Sequence, residues 1–342
     1  MTEFTGQKNL SINNIEYYLP QKVVTNDDLS AENPEWDMAR ALKNTGVYRR
    51  HIASDNETAF DLGLAACNKL LDGLEQMPTI DAIIFCTQSP DHIIPSNAFL
   101  LHKSLKLSQD CLAFDYNLAC SGYVYGLAIA EGLLATKRAK NILLVTADTY
   151  SKYIYEQDRS ARLLFGDGAS ASLLTSGSDD LCVCDILCGT SGQYYDKFII
   201  PVGGLRQPKT QDTDKVLMDP WGNPKSACHI NMDGMGIMAF VNSEIPKHVK
   251  QLLKRNNLEV SDISLFVFHQ ASRSVLDALA RFIGIKAERM YINIENIGNT
   301  VSSSIPIALK EAMEQKRISK GNKIVICGFG AGLSWASALI EV

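Results

Sequence analysis

The chain has 342 residues, of which 46% are hydrophobic and 21% charged, a composition ordinary for a globular protein of one or two domains. Its formal net charge is −5 and its lysines and arginines are scattered, which gives no support to a nucleic-acid-binding surface. Residues 1–8 lack the regions of a signal peptide, and no apolar run approaches the roughly 18 residues of a membrane helix. We therefore expect a cytoplasmic protein with neither nucleic acid nor membrane as a partner.

Four apolar runs predict buried strands, and amphipathic helical stretches separate them. The predicted strands, in chain order, are Asp81–Cys86, Asn141–Thr146, Ser264–Phe268 and Lys323–Cys327. Continuous apolar strands that alternate with helices are typical of a sheet covered on both faces. The chain is therefore predicted to be a layered α/β protein.

The same order of features occurs twice. Cys120 begins a predicted helix that leads into the second strand, and Asn299 precedes a predicted helix over 301–314 that leads into the fourth strand. A glycine turn that feeds a strand also occurs in both halves. Duplication is the simplest explanation, and it divides the chain into residues 1–177 and 178–342.

Gly122, Gly126 and Ala130 recur every four residues along the helix predicted after Cys120. They leave a smooth stripe against which another helix could lie closely, and they predict a central position for this helix. Glycine lowers helix propensity, so burial must stabilise the helix. The segment 194–233 is rich in glycine, proline and polar residues, which indicates loops near the mouth of a pocket.

The nine cysteines lie mostly in apolar surroundings and are odd in number, which predicts reduced thiols rather than a disulfide scaffold. Cys182, Cys184 and Cys188 alternate along one predicted strand, so they could share one face of a sheet. No cluster of zinc-like spacing accompanies them. We therefore expect no metal site.

Three side chains capable of chemistry follow apolar runs, namely Cys120, His269 and Asn299. A cysteine in the first turn of a helix lies beside free N–H groups, and this environment can lower a thiol pKa from about 8.5 to about 3.5–7.5. We therefore predict a nucleophilic thiolate at Cys120, with the other two in the same site. A papain-like protease uses the same three residue types. The glycine stripe, the duplication and the glycine-rich turn at 328–332 favour another class.

At these residues the chain resembles the thiolase-superfamily condensing enzymes, most closely the β-ketoacyl-acyl-carrier-protein synthase III family, over nearly its full length. The resemblance rests on separated motifs in the same order, at 44–53 (NTGVYRRHIA), 117–122 (NLACSG), 165–169 (FGDGA), 269–272 (HQAS), 298–300 (GNT) and 328–335 (GFGAGLSW). It implies a duplicated, layered α-β-α-β-α fold and a homodimer. It also implies an acyltransferase without a tightly bound cofactor, whose substrates are coenzyme A and phosphopantetheine thioesters.

The resemblance assigns a role to each residue of the site. Cys120 would accept an acyl group from acyl-coenzyme A. His269 and Asn299 would hydrogen-bond the thioester carbonyl of a malonyl acyl carrier protein while decarboxylation forms an enolate that attacks the acyl-cysteine. The backbone N–H groups of Cys120 and Ala331 would form the oxyanion hole.

The resemblance also gives candidate residues for substrate binding. Arg40 stands where family members often carry a tryptophan that stacks on adenine, and Trp36 lies slightly upstream. Arg159 matches a position associated with the nucleotide. Arg273 is displaced by one residue from the arginine that contacts the carrier protein. Ile94 replaces a bulky aromatic that limits the acyl pocket across the dimer interface, which implies room for more than acetyl.

Three alternatives stay open. A degradative thiolase would need a further catalytic cysteine where this chain has Phe329, two residues after Cys327. An acyltransferase of the same fold would pass the acyl group to oxygen or nitrogen without decarboxylation. A non-catalytic scaffold subunit would not need the intact set of cysteine, histidine and asparagine. The presence of that set argues against both the acyltransferase without decarboxylation and the scaffold subunit.

Overall fold

The computed structural model describes residues 10–177, 181–213 and 215–342. The opening residues 1–8 and the first residue of the second predicted half, 178, lie outside the described residues. The strands, in chain order, are β1 Ser11–Tyr18, β2 Val23–Thr25, β3 Arg49–His51, β4 Ala82–Cys86, β5 Leu112–Tyr116, β6 Asn141–Asp148, β7 Gly168–Thr175, β8 Leu181–Thr190, β9 Phe198–Ile199, β10 Val216–Met218, β11 Pro224–Ser226, β12 Asn231–Met232, β13 Leu265–Phe268, β14 Lys323–Gly330 and β15 Ser334–Glu341.

The helices connect and cover these strands, and several shorter turns are 3₁₀-helical. The α-helices are α1 Asn26–Glu32, α2 Met38–Thr45, α3 Ala59–Asp72, α4 Asn97–Ser104, α5 Gly122–Ala135, α6 Arg159–Arg162, α7 Gly234–Arg255, α8 Arg273–Ile283, α9 Ile294–Ile297 and α10 Ser304–Glu314. The 3₁₀ turns are Tyr150–Tyr153, Gly192–Lys197, Val260–Asp262, Ala287–Arg289 and Val301–Ser303. All four predicted strands are present, as β4, β6, β13 and β14.

Local sequence explains where the helices near the site begin and end. The side chain of Ser272 accepts a hydrogen bond from the N–H of Val275 and so caps the start of α8. Gly284 ends the same helix at φ +89°, a left-handed conformation that glycine adopts without a Cβ penalty. At the start of α3, Thr58 and Asp61 each accept a hydrogen bond from the backbone of the other.

The strand order confirms the duplication. The hydrogen-bonded strands follow the order β13-β14-β15-β8-β1-β7-β6-β4-β5. In the first half, β4 pairs parallel with β6, which pairs antiparallel with β7, which pairs antiparallel with β1. The second half repeats this pattern. There β13 pairs parallel with β14, which pairs antiparallel with β15, which pairs antiparallel with β8. Among the described residues, the two sheets join where Ser11 and Ile12 pair with the start of β8 and the N–H of Val183 donates to the carbonyl of Leu10.

The helices form three layers around the two sheets. Side chains of α5 and α10 occupy one apolar cluster together with strands from both halves, so these two helices lie between the sheets. A second cluster packs α3 and α4 on the outer face of the first sheet. A third packs α7 and α8 on the outer face of the second. The layered α-β-α-β-α arrangement implied by the resemblance is therefore confirmed.

The glycine stripe of α5 faces strands rather than another helix. A Cβ at Gly122 would lie 2.4 Å from Sγ of Cys86, and a Cβ at Gly126 would lie 2.5 Å from the hydroxyl of Tyr116 and 2.6 Å from Leu144. The central position predicted for α5 is confirmed, but the predicted helix partner was wrong. Its glycines instead let the helix backbone lie against β4, β5 and β6.

The three cysteines of β8 do not share one face. Cys182 is buried, whereas Cys184 and Cys188 are exposed. Val183 pairs with Ile340 and Asp185 with Leu339, so Cys184 has no residue opposite it on β15 and forms a bulge. Among the described residues, no group of three or more potential metal ligands is clustered. None of the helices in the described ranges has the length and apolar character needed to span a bilayer.

We expect Gly126→Ala to destabilise the protein by about 1–3 kcal/mol, because the added methyl group would overlap Tyr116 and Leu144. Gly132→Ala in the same helix is the matched control, since a Cβ at that position would meet no atom of the described residues within 4 Å beyond the backbone of its own helix. The control should stabilise by up to about 1 kcal/mol through helix propensity. Urea unfolding followed by circular dichroism measures both. Equal effects of the two substitutions would contradict the close contact of α5 with the sheet.

Candidate active site

Cys120 lies in the turn between β5 and α5, two residues before the helix begins. The N–H of Gly122 donates to the carbonyl of Ala119 at 2.8 Å and closes this turn. Ser121 is the N-cap residue, but its hydroxyl pairs with the hydroxyl of Ser334 at 2.8 Å instead of capping the helix. The prediction of Cys120 within the first helical turn was therefore wrong. The turn is instead tied to the start of β15.

The end of β14 packs directly against Cys120. A Cβ at Gly330 would lie 2.8 Å from Sγ of Cys120, and a Cβ at Gly328 would lie 2.5 Å from its carbonyl oxygen. Gly332 has φ +129°, a conformation that L side chains rarely adopt. Glycine is therefore required in this turn at Gly328 and Gly330 for close approach and at Gly332 for positive φ.

His269 and Asn299 are joined in one hydrogen-bond network. Nδ1 of His269 lies 2.7 Å from Oγ of Ser304, which donates to the carbonyl of Val301 at 3.0 Å. This arrangement leaves Oγ of Ser304 to accept a proton held on Nδ1. Oδ1 of Asn299 accepts a hydrogen bond from the N–H of Val301 at 3.0 Å. The amide nitrogen Nδ2 therefore points the other way, and it lies 3.4 Å from Nε2 of His269 and 3.3 Å from the carbonyl oxygen of Ala271.

The first half of the chain holds the backbone of Asn299. Its N–H donates to the carbonyl of Leu164, and its carbonyl accepts from the N–H of Gly166, both at 3.0 Å. The neighbouring Asp167 is buried and accepts from the N–H groups of Ala53 and Ser151. The 165–169 motif therefore positions Asn299 through packing and backbone hydrogen bonds.

Cys120, His269 and Asn299 line one cavity of about 150 Å³. We call it the reaction chamber. Phe329 and Ala331 also line it, and the ring of Phe329 meets that of His269 edge to face at 5.6 Å. None of the described residues that line this chamber is a lysine or an arginine. The three predicted residues thus meet in a largely apolar enclosure.

Burial controls the protonation of the cysteine and the histidine. The pKa of His269 falls to about 3 because burial disfavours the charged imidazolium, so the ring is neutral at pH 7. Burial also raises the pKa of the Cys120 thiol well above its usual range, and the negative charge of Asp148 adds to the effect. The predicted lowering of this pKa was therefore wrong. The thiol lies before the first residue of the helix. None of the described residues that line the reaction chamber is a lysine or an arginine that could compensate for the lost hydration of a thiolate.

Asp148 is a buried carboxyl group that the sequence reasoning missed. Its side chain accepts hydrogen bonds from the N–H of Gln88 at 2.8 Å and from the hydroxyl of Ser302 at 2.5 Å. Burial raises its pKa to about 7. The signals in the sequence were an acidic residue at the end of the apolar run 141–147 and three consecutive serines after Asn299.

The candidate residues for substrate binding are not among the described residues that line the reaction chamber. Arg40 is exposed on α2, and Trp36 is buried at 7% exposure in an apolar cluster. Arg159 begins α6 and donates to the carbonyl of Trp221 at 2.8 Å. Arg273 is exposed at the start of α8 and pairs with an aspartate one turn further along. Ile94 is 85% exposed.

Comparison with known families decides the class. One family model, 3-oxoacyl-[acyl-carrier-protein (ACP)] synthase III, matches residues 114–192, and the model of the C-terminal part of that synthase matches residues 253–342. A β-ketoacyl-[acyl-carrier-protein] synthase III of Clostridium perfringens is 34% identical over 340 residues, covering 98% of this chain and 100% of that protein. The chain belongs to the β-ketoacyl-acyl-carrier-protein synthase III family.

Solved structures of synthase III proteins agree. A crystal structure of a 3-oxoacyl-(acyl-carrier-protein) synthase III matches with a TM-score of 0.94 at 38% identity, over 97% of this chain and 99% of that one. The 3-oxoacyl-(acyl-carrier protein) synthase of Burkholderia xenovorans LB400 matches with a TM-score of 0.89 at 35% identity, over 98% and 94% of the two chains. The synthase III resemblance is confirmed. These relatives do not support the papain-like or degradative thiolase alternatives.

We expect Asp148→Asn to speed alkylation of Cys120 only at pH values at which Asp148 of the wild-type protein is ionised. The substitution keeps an acceptor for Gln88 and removes the negative charge that opposes the thiolate. Because the pKa of Asp148 is about 7, the ratio of mutant to wild-type rate should be near one below pH 6 and rise above pH 7. Iodoacetamide labelling of the Cys120 peptide, quantified by mass spectrometry, measures the ratio.

The matched control is Asp167→Asn, which alters another buried carboxyl group that is not among the causes of the raised Cys120 pKa. Its rate ratio should stay constant with pH. A constant ratio for Asp148→Asn as well would show that the carboxylate does not act on the thiol.

Proposed function

We propose that this protein is an acyltransferase of the β-ketoacyl-acyl-carrier-protein synthase III type. It transfers an acyl group from acyl-coenzyme A to Cys120 and condenses that group with a malonyl acyl carrier protein, releasing CO₂. The observation that carries the proposal is the meeting of Cys120, His269 and Asn299 on one cavity in a chain of this family. The substrates are coenzyme A and phosphopantetheine thioesters, and no tightly bound cofactor is needed.

In the first half-reaction, the raised pKa of Cys120 means that the thiol needs a proton acceptor at the moment of attack. Neutral His269, whose proton the Ser304 network favours on Nδ1, offers the lone pair of Nε2 for this purpose. Sγ then bonds to the acyl carbon, and the carbon–sulfur bond of the donor breaks. The proton held on Nε2 passes to the departing coenzyme A thiolate, so His269 returns to its neutral state.

In the second half-reaction, the malonyl carbon–carbon bond breaks, CO₂ leaves, and the electron pair becomes an enolate. Nδ2 of Asn299 donates to the thioester oxygen. His269 donates from Nε2 in this step, so its ring carries the proton on Nε2 rather than on Nδ1. The Ser304 hydroxyl turns and donates to the unprotonated Nδ1 in this tautomer. The enolate carbon attacks the acyl carbonyl, the bond from that carbon to Sγ breaks, and the departing Cys120 thiolate takes a proton from water, which restores the neutral thiol. Backbone N–H groups of Cys120 and Ala331 form the oxyanion hole, where each such donor contributes about 2.7–4 kcal/mol.

The apolar chamber favours decarboxylation over retention of the malonyl carboxylate. A carboxylate in water is strongly hydrated, and the described lining of the reaction chamber offers no lysine or arginine to replace that hydration. Loss of CO₂ converts this charged group into a neutral molecule. Its negative charge moves to the enolate oxygen, where the amide of Asn299 is placed to donate a hydrogen bond.

The remaining assignments concern binding and assembly. Arg40 and Arg159 are proposed to contact the nucleotide of coenzyme A, and Arg273 is proposed to contact the carrier protein. The exposure of Arg40 and Arg273 is compatible with these roles.

The chain is proposed to act as a homodimer in which Ile94 reaches the acyl pocket of the second copy. Two features support this pairing, the exposed Ile94 and the position of β5 at the edge of the sheet. Residues 1–177 would carry the nucleophile, and 178–342 His269 and Asn299.

We expect Cys120→Ala to abolish acylation, whereas Asn299→Ala should acylate and then lose decarboxylation by about 10²–10³-fold, because only the second half-reaction uses its amide. Intact-protein mass spectrometry with acyl-coenzyme A donors measures the first step. Release of CO₂ from malonyl acyl carrier protein measures the second. Cys188→Ala, which removes an exposed cysteine of β8, is the control and should leave both steps intact.

Acylation of Cys120→Ala at the wild-type rate would refute the nucleophile. If wild-type Cys120 acylates but gives up the acyl group only to an alcohol or an amine, the protein is an acyltransferase without decarboxylation. Absence of acylation by every donor would favour the scaffold alternative.

A further inference from the structure

Asp148 is a fully buried carboxyl group whose described hydrogen-bond donors are all uncharged. It lies at the end of β6 and accepts from the N–H of Gln88 and from the hydroxyls of Thr87 and Ser302. A carboxyl group buried without a cation loses hydration that uncharged donors replace only in part. A costly group whose charge also acts on the thiol of Cys120 points to a role in the site.

One side of Asp148 is connected to the turn that carries the nucleophile. Its Oδ1 accepts from the N–H of Gln88 at 2.8 Å. The side chain of Gln88 in turn donates from Nε2 to Oδ1 of Asn117 at 2.8 Å. Asn117 lies three residues before Cys120, so Asp148 reaches the turn of the nucleophile through Gln88.

The other side of Asp148 is connected to the segment that carries Asn299. Its Oδ2 accepts from the hydroxyl of Ser302 at 2.5 Å, and Ser302 lies three residues after Asn299. The two strand ends of the first half and this segment of the second half therefore meet at one carboxyl group.

Val301, between Asn299 and Ser302, has a strained backbone. Its φ is +54°, a left-handed conformation that is an outlier for a β-branched residue. This conformation brings the N–H of Val301 to Oδ1 of Asn299 at 3.0 Å, and that bond turns the amide nitrogen of Asn299 toward the reaction chamber. Such strain costs free energy and persists only where the surrounding contacts hold it.

Two contacts to β6 hold this strained turn. The hydroxyl of Ser302, the residue after Val301, donates to Asp148, and the hydroxyl of Ser303 donates to the carbonyl of Thr146 at 3.0 Å. The bond to Asp148 is the shorter of the two, and it is charge-assisted when the carboxyl group is ionised. Asp148 is therefore the stronger anchor of the turn that orients Asn299.

We propose that Asp148 is a positioning residue for the second half-reaction, because its carboxylate holds Ser302 and so keeps the amide of Asn299 aimed at the extender thioester. This inference rests on the proposed function, since it concerns the step that the amide of Asn299 serves. Asp148 is not among the described residues that line the reaction chamber, so it acts through Ser302 and Val301.

The test compares Asp148→Asn with the wild-type protein at pH 8, where the wild-type carboxyl group, with a pKa of about 7, is mostly ionised. An asparagine that keeps its oxygen on Gln88 presents its NH₂ group to the hydroxyl of Ser302, which loses its acceptor. We expect kcat for CO₂ release from malonyl acyl carrier protein to fall by about tenfold or more without a rise in KM, because misplacing reacting groups by 1 Å can cost about 10²-fold.

Acylation by acyl-coenzyme A, followed by intact-protein mass spectrometry, should be as fast in Asp148→Asn as in the wild-type protein or faster. The substitution removes the negative charge that opposes the thiolate of Cys120. A smaller folded fraction would slow both steps. A loss of CO₂ release with acylation retained therefore distinguishes positioning from a general structural role.

A second variant removes the other partner of the same bond. Ser302→Ala should slow CO₂ release about as much as Asp148→Asn does and leave acylation intact. The double variant should lose no more than one single variant, because both substitutions break one interaction. The control Ser172→Ala deletes another buried hydroxyl, which pairs with the hydroxyl of Tyr123 at 3.1 Å, and it should keep both rates.

Wild-type CO₂ release in Asp148→Asn and Ser302→Ala, or an equal loss of both steps, would overturn the inference and leave the proposed function standing. Losses that multiply in the double variant would also overturn it, since the two residues would then act separately. Absence of acylation or of CO₂ release in the wild-type protein would instead remove the proposed function, and the inference with it.

Discussion

The backbone of β14 lies against Cys120 so closely that a single methyl group at Gly328 or Gly330 would overlap it. This contact brings the end of a strand from the second half onto the turn that carries the nucleophile of the first half. The Ser121 and Ser334 hydroxyls hold the same junction from the other side. The placement of the site depends on it, because Ala331 follows directly and lines the reaction chamber.

The same close packing determines the electrostatics of the site. Desolvation raises the pKa of the half-buried Cys120 thiol and lowers that of the buried His269 imidazole, which favours the neutral form of both groups. A neutral pair has a smaller desolvation cost than a buried ion pair of the same size. It also leaves Nε2 of the histidine free to accept a proton. Asp148 adds a buried carboxyl group whose charge acts on the thiol from the first sheet.

Sequence patterns predicted some elements well and others poorly. The strands at β4, β6, β13 and β14 were predictable because continuous apolar runs of that length are buried in sheets. The bulge at Cys184 was not, since the register of β8 depends on its pairing with β15, which is far along the chain. The partner of the α5 glycines was also wrong, because a smooth stripe fits a strand surface as well as a helix.

The sequence by itself determined which residues can perform chemistry, the order of strands and helices, and the repeat that relates the two halves. These are local or periodic properties, and Cys120, His269 and Asn299 follow the strand ends that the pattern predicts. Only the tertiary structure decided the neutral state of the thiol, the network through Ser304, the role of Asp148 and the reaction chamber. Hydration, pKa and cavity volume depend on atoms brought together from distant parts of the chain, and no local pattern records that approach.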